Sequence, residues 1–299
     1  MADEIPFVRD LIFEYGQTAP VSPLVRRVVA RNGGPFTFHG TGTYIVGRGS
    51  VAVIDPGPDL PEHLAALEAA TKGERVSHIV VTHTHLDHSP LSRALKARTG
   101  APIYAYGPHG GGRHDGPEVE EGGDVNFMPD VTIRCGALIA GEGWTLEAVH
   151  TPGHTSNHLC FALREERALF SGDHVMGWST TVVSPPDGDM AAYMASLDKL
   201  IARDDEVLIP THGSVIREPK RFMRALAAHR RARETQIAQC LADGLDAIPR
   251  MVERMYAAVP KTLHGAAAHT VLAHLIHMVG TGRAACEGRP TLAARYAPR

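Results

Sequence analysis

The sequence predicts a mixed α/β fold over residues 1–217, followed by a small helical domain over residues 218–299. The first observation behind this prediction is that short β-branched runs alternate with segments of helical periodicity, which is typical of α/β domains. The second is that four predicted strands end in side chains able to bind a metal, and such strand ends gather at one edge of the sheets. The third is that helical periodicity dominates after residue 218.

The length and the charge of the chain support this division. A chain of 299 residues with 43% hydrophobic and 21% charged residues is ordinary for a globular protein with one large and one small domain. The net charge of −3 hides an asymmetry, because residues 1–217 carry 17 basic and 27 acidic side chains, whereas residues 218–299 carry 13 and 6. The two parts, at −10 and +7, therefore present different surfaces.

The cysteines and the amino terminus indicate the compartment. No two cysteines have CxxC spacing, so they are expected to be reduced thiols rather than zinc ligands or disulfides: Cys135, Cys160, Cys240 and Cys286. The first ten residues contain early acids and lack the apolar core of a signal peptide, and no run of about 18 apolar residues could span a membrane. We therefore expect a cytoplasmic protein without a membrane partner.

The elements of the first domain follow from apolar spacing and turn residues. Gly47 and Gly49 mark the turn of a β-hairpin. The predicted strands cover residues 25–30, 41–46, 50–54, 77–81, 102–105, 143–149, 157–163, 168–170 and 206–209, and the predicted helices cover residues 61–71, 91–99 and 190–202. A glycine-rich segment over residues 106–124 is predicted to be a long loop, in which His109 and His114 are interpreted as loop residues rather than metal ligands.

The second domain is predicted to contain helices near residues 222–241, 248–256 and 268–278, followed by a short β-wing after Cys286. Its first helix carries Arg230, Arg231 and Arg233 between the apolar positions. If the domain binds nucleic acid, these arginines are the natural phosphate contacts. The alternatives are solvated arginines, or arginines paired to the acidic body where the domain covers the active-site edge or forms a homodimer interface.

The segment His83-Thr84-His85-Leu86-Asp87-His88 carries the strongest chemical signal. Three imidazoles and a carboxylate within six residues would repel one another on protonation, so a metal site explains the cluster better than a solvated loop does. A zinc ion takes about four ligands, or three plus water, and further strand-end groups fit that need: His154, Asp173 and His212. His150 competes with His154, but the Pro152-Gly153 turn aims His154. Asp55 either builds its Asp-Pro-Gly turn or supports the metal site from beneath, and these roles are compatible.

Four motifs together resemble those of the metallo-β-lactamase-fold hydrolases: HTHLDH at 83–88, TPGHT at 151–155, SGD at 171–173 and PTHG at 210–213. The resemblance covers about residues 40–217 and implies an αββα sandwich with metals at one edge of two sheets. It implies that His83, His85 and His154 bind a first metal. It also implies that Asp87, His88 and His212 bind a second metal and that Asp173 bridges the two metals. Two Zn²⁺ per chain are expected, with iron or manganese as alternatives.

The carboxyl-terminal segments HRRARETQI at 229–237 and PKTLH at 260–264 resemble the winged-helix end of the β-lactamase-like protein 2 subgroup, which includes an endoribonuclease acting on single-stranded RNA. The resemblance implies a dinuclear zinc hydrolase that uses a metal-bridging hydroxide, with Asp87 as the catalytic residue that orients the nucleophile or accepts its proton. RNA phosphodiesters are the first expected substrate. Small thioesters, esters or lactams are the alternative, and a nucleic-acid-binding protein with a vestigial metal site is the non-enzymatic one.

Overall fold

The computed structural model describes residues 4–112 and 122–299. Within them, the first sheet contains seven strands whose spatial order follows the chain: β1 (Thr18–Pro20), β2 (Val25–Val29), β3 (Gly42–Val46), β4 (Ser50–Ile54), β5 (Arg75–Val80), β6 (Ile103–Ala105) and β7 (Val131–Thr132). Strands β1 to β4 pair antiparallel, and β4 to β7 pair parallel. The parallel pairs β4–β5 and β5–β6 require crossovers, which α1 (Pro61–Ala70) and α2 (Leu91–Thr99) provide on the outer face of the sheet.

The second sheet has the spatial order β12-β11-β10-β9-β8 in the described residues. Its strands are β8 (Leu138–Gly141), β9 (Trp144–His150), β10 (Leu159–Leu163), β11 (Ala168–Gly172) and β12 (Val207–Pro210). Only the pair β11–β12 is parallel among these, and α3 (Met190–Ile201) makes its crossover. The Asp189 side chain accepts a hydrogen bond from the Ala192 N–H at 2.7 Å and so caps the start of α3.

The two sheets face each other across an aromatic core that contains Tyr44, Trp144, Phe161 and Phe170. Two buried polar groups in this core tie the sheets together: the Tyr44 hydroxyl donates to the Pro210 carbonyl at 2.6 Å, and the Trp144 Nε1–H donates to the Ser50 carbonyl at 2.9 Å. Helices α1 and α2 cover one outer face, and α3 covers the other. The predicted αββα sandwich is therefore confirmed.

The predicted hairpin between β3 and β4 forms as expected. Gly47 has a φ of 95°, and a Cβ atom there would lie 2.3 Å from the Trp144 ring, so this turn requires glycine for two reasons. Strands β7 and β8 were not predicted, because β7 has two residues and β8 is a four-residue run containing alanine and glycine. Residues 113–121, including His114, lie outside the described residues.

The carboxyl-terminal part contains α4 (Pro219–Ala242), α5 (Ile248–Met255), α6 (His264–Gly280) and the antiparallel pair β13 (Ala284–Cys286) and β14 (Tyr296–Pro298), which is the predicted winged-helix arrangement. Helix α4 belongs to two cores, since Phe222 packs with α3 and Ile237 packs with α5 and α6. The domain boundary at residues 217 and 218 therefore stays a prediction. In residues 4–112 and 122–299, no helix is long and apolar enough to cross a membrane.

Candidate metal centre

The loops that follow β5, β9, β11 and β12 bring together all seven predicted metal-binding side chains. Their nitrogen and oxygen atoms form three overlapping groups in which the atoms lie within 4.8 Å of one another: His83, His85 and His154; His83, His88 and Asp173; Asp87, His88 and His212. The motifs stand far apart in the sequence, but each follows a strand that ends at the same edge of the sandwich. The fold thus collects the seven side chains into one polar cluster.

The first group has the spacing of a tetrahedral site. His85 Nδ1 lies 3.2 Å from His83 Nε2 and 3.2 Å from His154 Nε2. Zinc–nitrogen bonds of about 2.0–2.1 Å in a tetrahedral site place neighbouring ligand atoms roughly 3.3 Å apart. His154 Nδ1 contacts the Val182 carbonyl at 2.8 Å, and a carbonyl accepts only from a protonated nitrogen, so Nε2 keeps its lone pair. The three imidazoles therefore fit one cation.

The second group joins carboxylates to imidazoles. Asp87 Oδ2 lies 3.2 Å from His88 Nε2 and 3.0 Å from His212 Nε2, and Asp173 Oδ2 lies 3.6 Å and 3.4 Å from the same two nitrogens. These approaches are close but do not have hydrogen-bond geometry, so among the described residues His88 Nε2, His212 Nε2 and Asp173 Oδ1 are buried without a hydrogen-bond partner. Such orphaned atoms cost about 1–3 kcal/mol each, which a cation bound between them would offset. The donor set fits a metal ion.

The electrostatics of the cluster also suit cations. Burial, helped by the neighbouring imidazoles, lowers the pKa of His83 and of His85 well below the ordinary value, so these rings are neutral and can donate lone pairs. Burial also lowers the pKa of His212, but Asp173 and Asp87 outweigh it and raise the pKa to about 10. The carboxylate side of the cluster therefore attracts positive charge, which a metal would supply in place of protons.

Asp55 supports the cluster from beneath. It is 1% exposed, and its carboxylate accepts hydrogen bonds from the Thr82 N–H and the Thr82 hydroxyl, both at 2.8 Å, and from the Thr211 hydroxyl at 3.0 Å. His88 Nδ1 lies 2.9 Å from the same carboxylate. Asp55 also has a φ of 48° in its turn, so it both builds the turn and holds the ends of β5 and β12 in place.

Histidines near the cluster take other positions. His150 stacks on Tyr106 with ring centroids 4.2 Å apart and its Nε2 lies 3.1 Å from the Ser156 carbonyl, outside the three groups. His158 is buried, and its Nε2 accepts the Asp173 N–H at 3.2 Å, which positions that aspartate. His109 Nδ1 lies 3.0 Å from the Thr84 hydroxyl and also stands outside the three groups.

A connection from the carboxyl-terminal domain to the cluster was missed at the sequence level. Arg230 of α4 is only 3% exposed, donates to the Thr181 carbonyl and lies 5.0 Å from the Tyr193 ring centroid. The Thr181 hydroxyl in turn donates to the Asp173 carbonyl at 2.7 Å, and the next residue, Val182, contacts His154. The segment of Thr181 and Val182 therefore links α4 to two of the metal-capable residues.

If the domain binds nucleic acid, Arg230 is not one of the phosphate contacts that the sequence suggested, because that side chain is buried. Arg233 lies 4.4 Å from the Tyr256 ring centroid and donates to the Met255 carbonyl at 3.2 Å. Arg231 is exposed and lies 3.9 Å from a carboxylate of the catalytic part. The alternative in which the arginines pair with the body agrees with the contacts of Arg230 and Arg231, whereas Arg233 contacts only its own domain. Helical periodicity could not reveal which face of α4 packs against a second domain.

The comparisons with known proteins agree with this architecture. Residues 37–212 match the model of the Metallo-beta-lactamase superfamily, and residues 248–291 match the Beta-lactamase associated winged helix domain. An atrochrysone carboxyl ACP thioesterase from Paecilomyces divaricatus is 38% identical to this chain. The matched region covers 66% of this chain but only 57% of the length of that relative. A beta-lactamase-like protein 2 homolog from Caenorhabditis elegans is 34% identical, covering 74% of this chain and 72% of the relative. The crystal structure of a beta-lactamase domain protein from Burkholderia ambifaria superposes on this chain with a TM-score of 0.79. The superposition covers 97% of this chain and 96% of that one at 21% sequence identity, so the two proteins share the fold.

Proposed function

Because the chain belongs to the metallo-β-lactamase superfamily and is a hydrolase, we propose that it holds two metal ions, with zinc as the expected metal, and cleaves small thioesters or esters. The observation that carries this proposal is the convergence of seven metal-capable side chains at one edge of the sandwich. The relative named as an acyl carrier protein thioesterase supports the choice of substrate class. The β-lactamase-like protein 2 relatives support the hydrolase class without specifying a substrate.

We assign the residues to two sites that share a bridge. His83, His85 and His154 would hold the first ion, and Asp173 would lie between the two ions. The second ion would be held by the remaining three residues: Asp87, His88 and His212. These residues would hold two divalent ions, which would supply a bound water of lowered pKa and a polarised scissile carbonyl.

Asp87 is the residue we assign to proton transfer. Burial would raise the pKa of its carboxyl, but His88 and His212 outweigh burial and hold the pKa far below the ordinary range, so Asp87 is ionised and can accept a proton. In thioester hydrolysis the water oxygen bonds to the carbonyl carbon, the carbon–sulfur bond breaks, and the thiol leaves with a proton. A protein thiol is not needed, and burial raises the pKa of Cys160 to about 12, which makes it a poor nucleophile.

Cleavage of single-stranded RNA remains the second candidate, since the carboxyl-terminal domain carries a net +7 and resembles that of an endoribonuclease. The contacts of Arg230 and Arg233 speak against a phosphate-binding surface at this stretch of α4, although Lys220, Arg221 and Arg224 on the same helix are exposed. Arg230 is buried against the catalytic part and Arg233 lies over an aromatic ring, so Arg231 alone of the three is exposed. A phosphate-binding surface needs several exposed cations to release counterions.

The proposal is tested by metal analysis combined with a substrate screen. Protein purified without chelator should contain about two metal ions per chain, as two ligand sets sharing a bridge require. The same preparation should release thiol from acyl thioesters, and chelation should stop the release. A metal content near zero after zinc supplementation would refute the assignment of the two sites, whatever the substrate.

A further inference from the structure

A cavity of about 580 Å³ lies between the catalytic part and the carboxyl-terminal domain. Its walls are largely apolar, and both parts of the chain contribute rings or aliphatic groups to them: Phe7, Phe36 and Trp178 from the first, and Tyr256, Val259 and Leu263 from the second. The volume falls within the roughly 300–1,000 Å³ of pockets that enclose small organic ligands. Because two domains form it, a ligand in this cavity would contact both.

Each arginine that lines this cavity makes at least one internal hydrogen bond, although the Nε atoms of Arg230 and Arg233 are buried without a hydrogen-bond partner. Arg230 donates to the Thr181 carbonyl, and Arg233 donates to the Met255 carbonyl at 3.2 Å. Arg9 donates to the Trp178 carbonyl at 3.2 Å and lies over the ring of a neighbouring phenylalanine. A strand of phosphates would need cations that are not committed in this way. The interior therefore suits an apolar group better than a polyanion.

The cavity adjoins the metal centre along two of its walls. Val182 lines the cavity, and its carbonyl holds the Nδ1 of His154 at 2.8 Å. Trp178 lines it as well, and a Cβ atom added to Gly213, the residue after His212, would lie 3.4 Å from the Trp178 ring. The cavity is thus separated from His154 by Val182, and from His212 by Trp178 and Gly213. A substrate whose apolar part fills the cavity would extend its reacting carbonyl past these residues towards the metal-capable cluster.

We propose that this cavity binds the apolar acyl part of the substrate, so that the enzyme selects thioesters or esters of bulky aromatic or long aliphatic acids. The inference rests on the proposed hydrolase function and specifies its substrate class. Burial of a ring or a chain of several methylenes in such a cavity increases kcat/KM by about 10- to 100-fold over an acetyl group, provided that the contact persists in the transition state.

The kinetic test uses the full-length, zinc-loaded protein and three thioesters of N-acetylcysteamine, carrying the 2-naphthoyl, octanoyl or acetyl group. We expect kcat/KM for the naphthoyl and octanoyl compounds to exceed that for the acetyl compound by about 10- to 100-fold. Ala232→Phe places a ring at the cavity wall and should reduce this ratio by about 10-fold or more. Ala238→Phe makes the same change at an exposed position six residues further along α4 and should leave all three rates unchanged.

Binding of neutral 2-naphthamide, measured by calorimetry, separates the cavity from the chemistry, since this amide has no carboxylate to bind a metal. We expect binding to the wild type and to Ala238→Phe, and its loss in Ala232→Phe. Ala266→Phe, on the wall formed by α6, is a second cavity variant with the same expected loss. Circular dichroism and metal content identify any variant that fails to fold.

The outcomes distinguish the two proposals. In one outcome, the wild type binds 2-naphthamide, both cavity variants lose this binding, and no thioester is hydrolysed. This outcome would support binding of an apolar group in the cavity and refute thioester hydrolysis. Thioester hydrolysis with an acyl preference that neither cavity variant changes would refute the cavity and leave the hydrolase proposal standing. Cleavage of single-stranded RNA by a protein that does not bind 2-naphthamide would overturn both.

Discussion

The metal centre and the interdomain cavity are built in opposite ways. The metal-capable side chains come from loops at strand ends of one α/β body, and their closest atoms lie 3.0–3.2 Å apart. The cavity has walls from the amino-terminal segment, from residues near Trp178 and from the carboxyl-terminal helices. The first is polar and confined to one body, whereas the second is apolar and exists only where two bodies meet. Reactivity and substrate selection are therefore expected to respond to different mutations.

The two regions meet at one short segment. Thr181 contacts Arg230 of the carboxyl-terminal domain on one side and the Asp173 carbonyl on the other, and Val182 contacts His154. Both residues also line the cavity. A disturbance of this segment should therefore reach the metal centre, while changes elsewhere in the cavity walls should not.

The largest effect is expected from a change confined to the metal centre. Asp87→Asn keeps the shape of the side chain but removes the ionised acceptor, and turnover should fall about 10²-fold or more with every substrate. The fold should survive, because neither β5 nor α2 is built on this carboxylate, and circular dichroism checks that it does. Asp59→Asn, at an exposed position, is the control. Unchanged turnover in Asp87→Asn would show that catalysis occurs elsewhere.

The next effect concerns the link between the regions. Arg230→Ala leaves the Thr181 carbonyl without its donor and opens space beside Tyr193, so the free energy of unfolding should fall by about 2 kcal/mol. Arg231→Ala, at the exposed neighbouring position, should change it by less than about 0.5 kcal/mol. Urea denaturation measures both values. We also expect Arg230→Ala, but not Arg231→Ala, to lose zinc more readily to a chelator. Equal zinc retention in the two variants would show that the segment of Thr181 and Val182 does not connect the carboxyl-terminal domain to the metal centre.

A smaller effect is expected from the charges that join α4 to α6. Burial would raise the pKa of Glu234, but hydrogen bonds from His274, His277 and Arg283 outweigh it and lower the pKa to about 2. The folded-state pKa lies below the unfolded one, so this stabilisation is present above about pH 4.5 and is lost as the pH falls towards 2. Wild type should exceed Glu234→Gln in unfolding free energy by about 1–2 kcal/mol at pH 6, and the difference should vanish near pH 2. A difference independent of pH would contradict this ion pairing.

The smallest effect is expected for RNA binding. If Arg230 and Arg233 are committed to internal contacts, Arg231 has no partner arginines for a phosphate surface. Arg231→Ala should then change the affinity for labelled single-stranded RNA by less than about two-fold at both 50 and 200 mM salt, roughly the range over which phosphate contacts lose affinity. Arg224→Ala, at another exposed position of α4, is the matched control. Tight binding that falls steeply with salt and is lost in Arg231→Ala would favour the RNA candidate instead.

The residue patterns alone were sufficient to predict an α/β body, the hairpin at Gly47 and the set of candidate ligands, and the resemblance to a known family supplied the αββα arrangement. These features are local, because each motif directly follows a buried strand and therefore lies at a sheet edge in any fold that pairs those strands. The two roles of Asp55, in its Asp-Pro-Gly turn and beneath the metal-capable cluster, were also predicted from the sequence, and the structure shows contacts for both. The assignment of ligands to individual ions remains a prediction that metal analysis must test.

Only the tertiary structure decided the position of Arg230, the contacts of Thr181 and the existence of the cavity. Helical periodicity identifies an apolar face but not a cation that a second domain buries, so Arg230 resembled its exposed neighbour Arg231 in sequence. Strand β8 escaped prediction because four small and apolar residues carry little periodicity. The cavity is lined by residues as far apart in the sequence as Phe7 and Leu263. Its shape depends on how the two domains pack against each other, and no local sequence pattern encodes that packing.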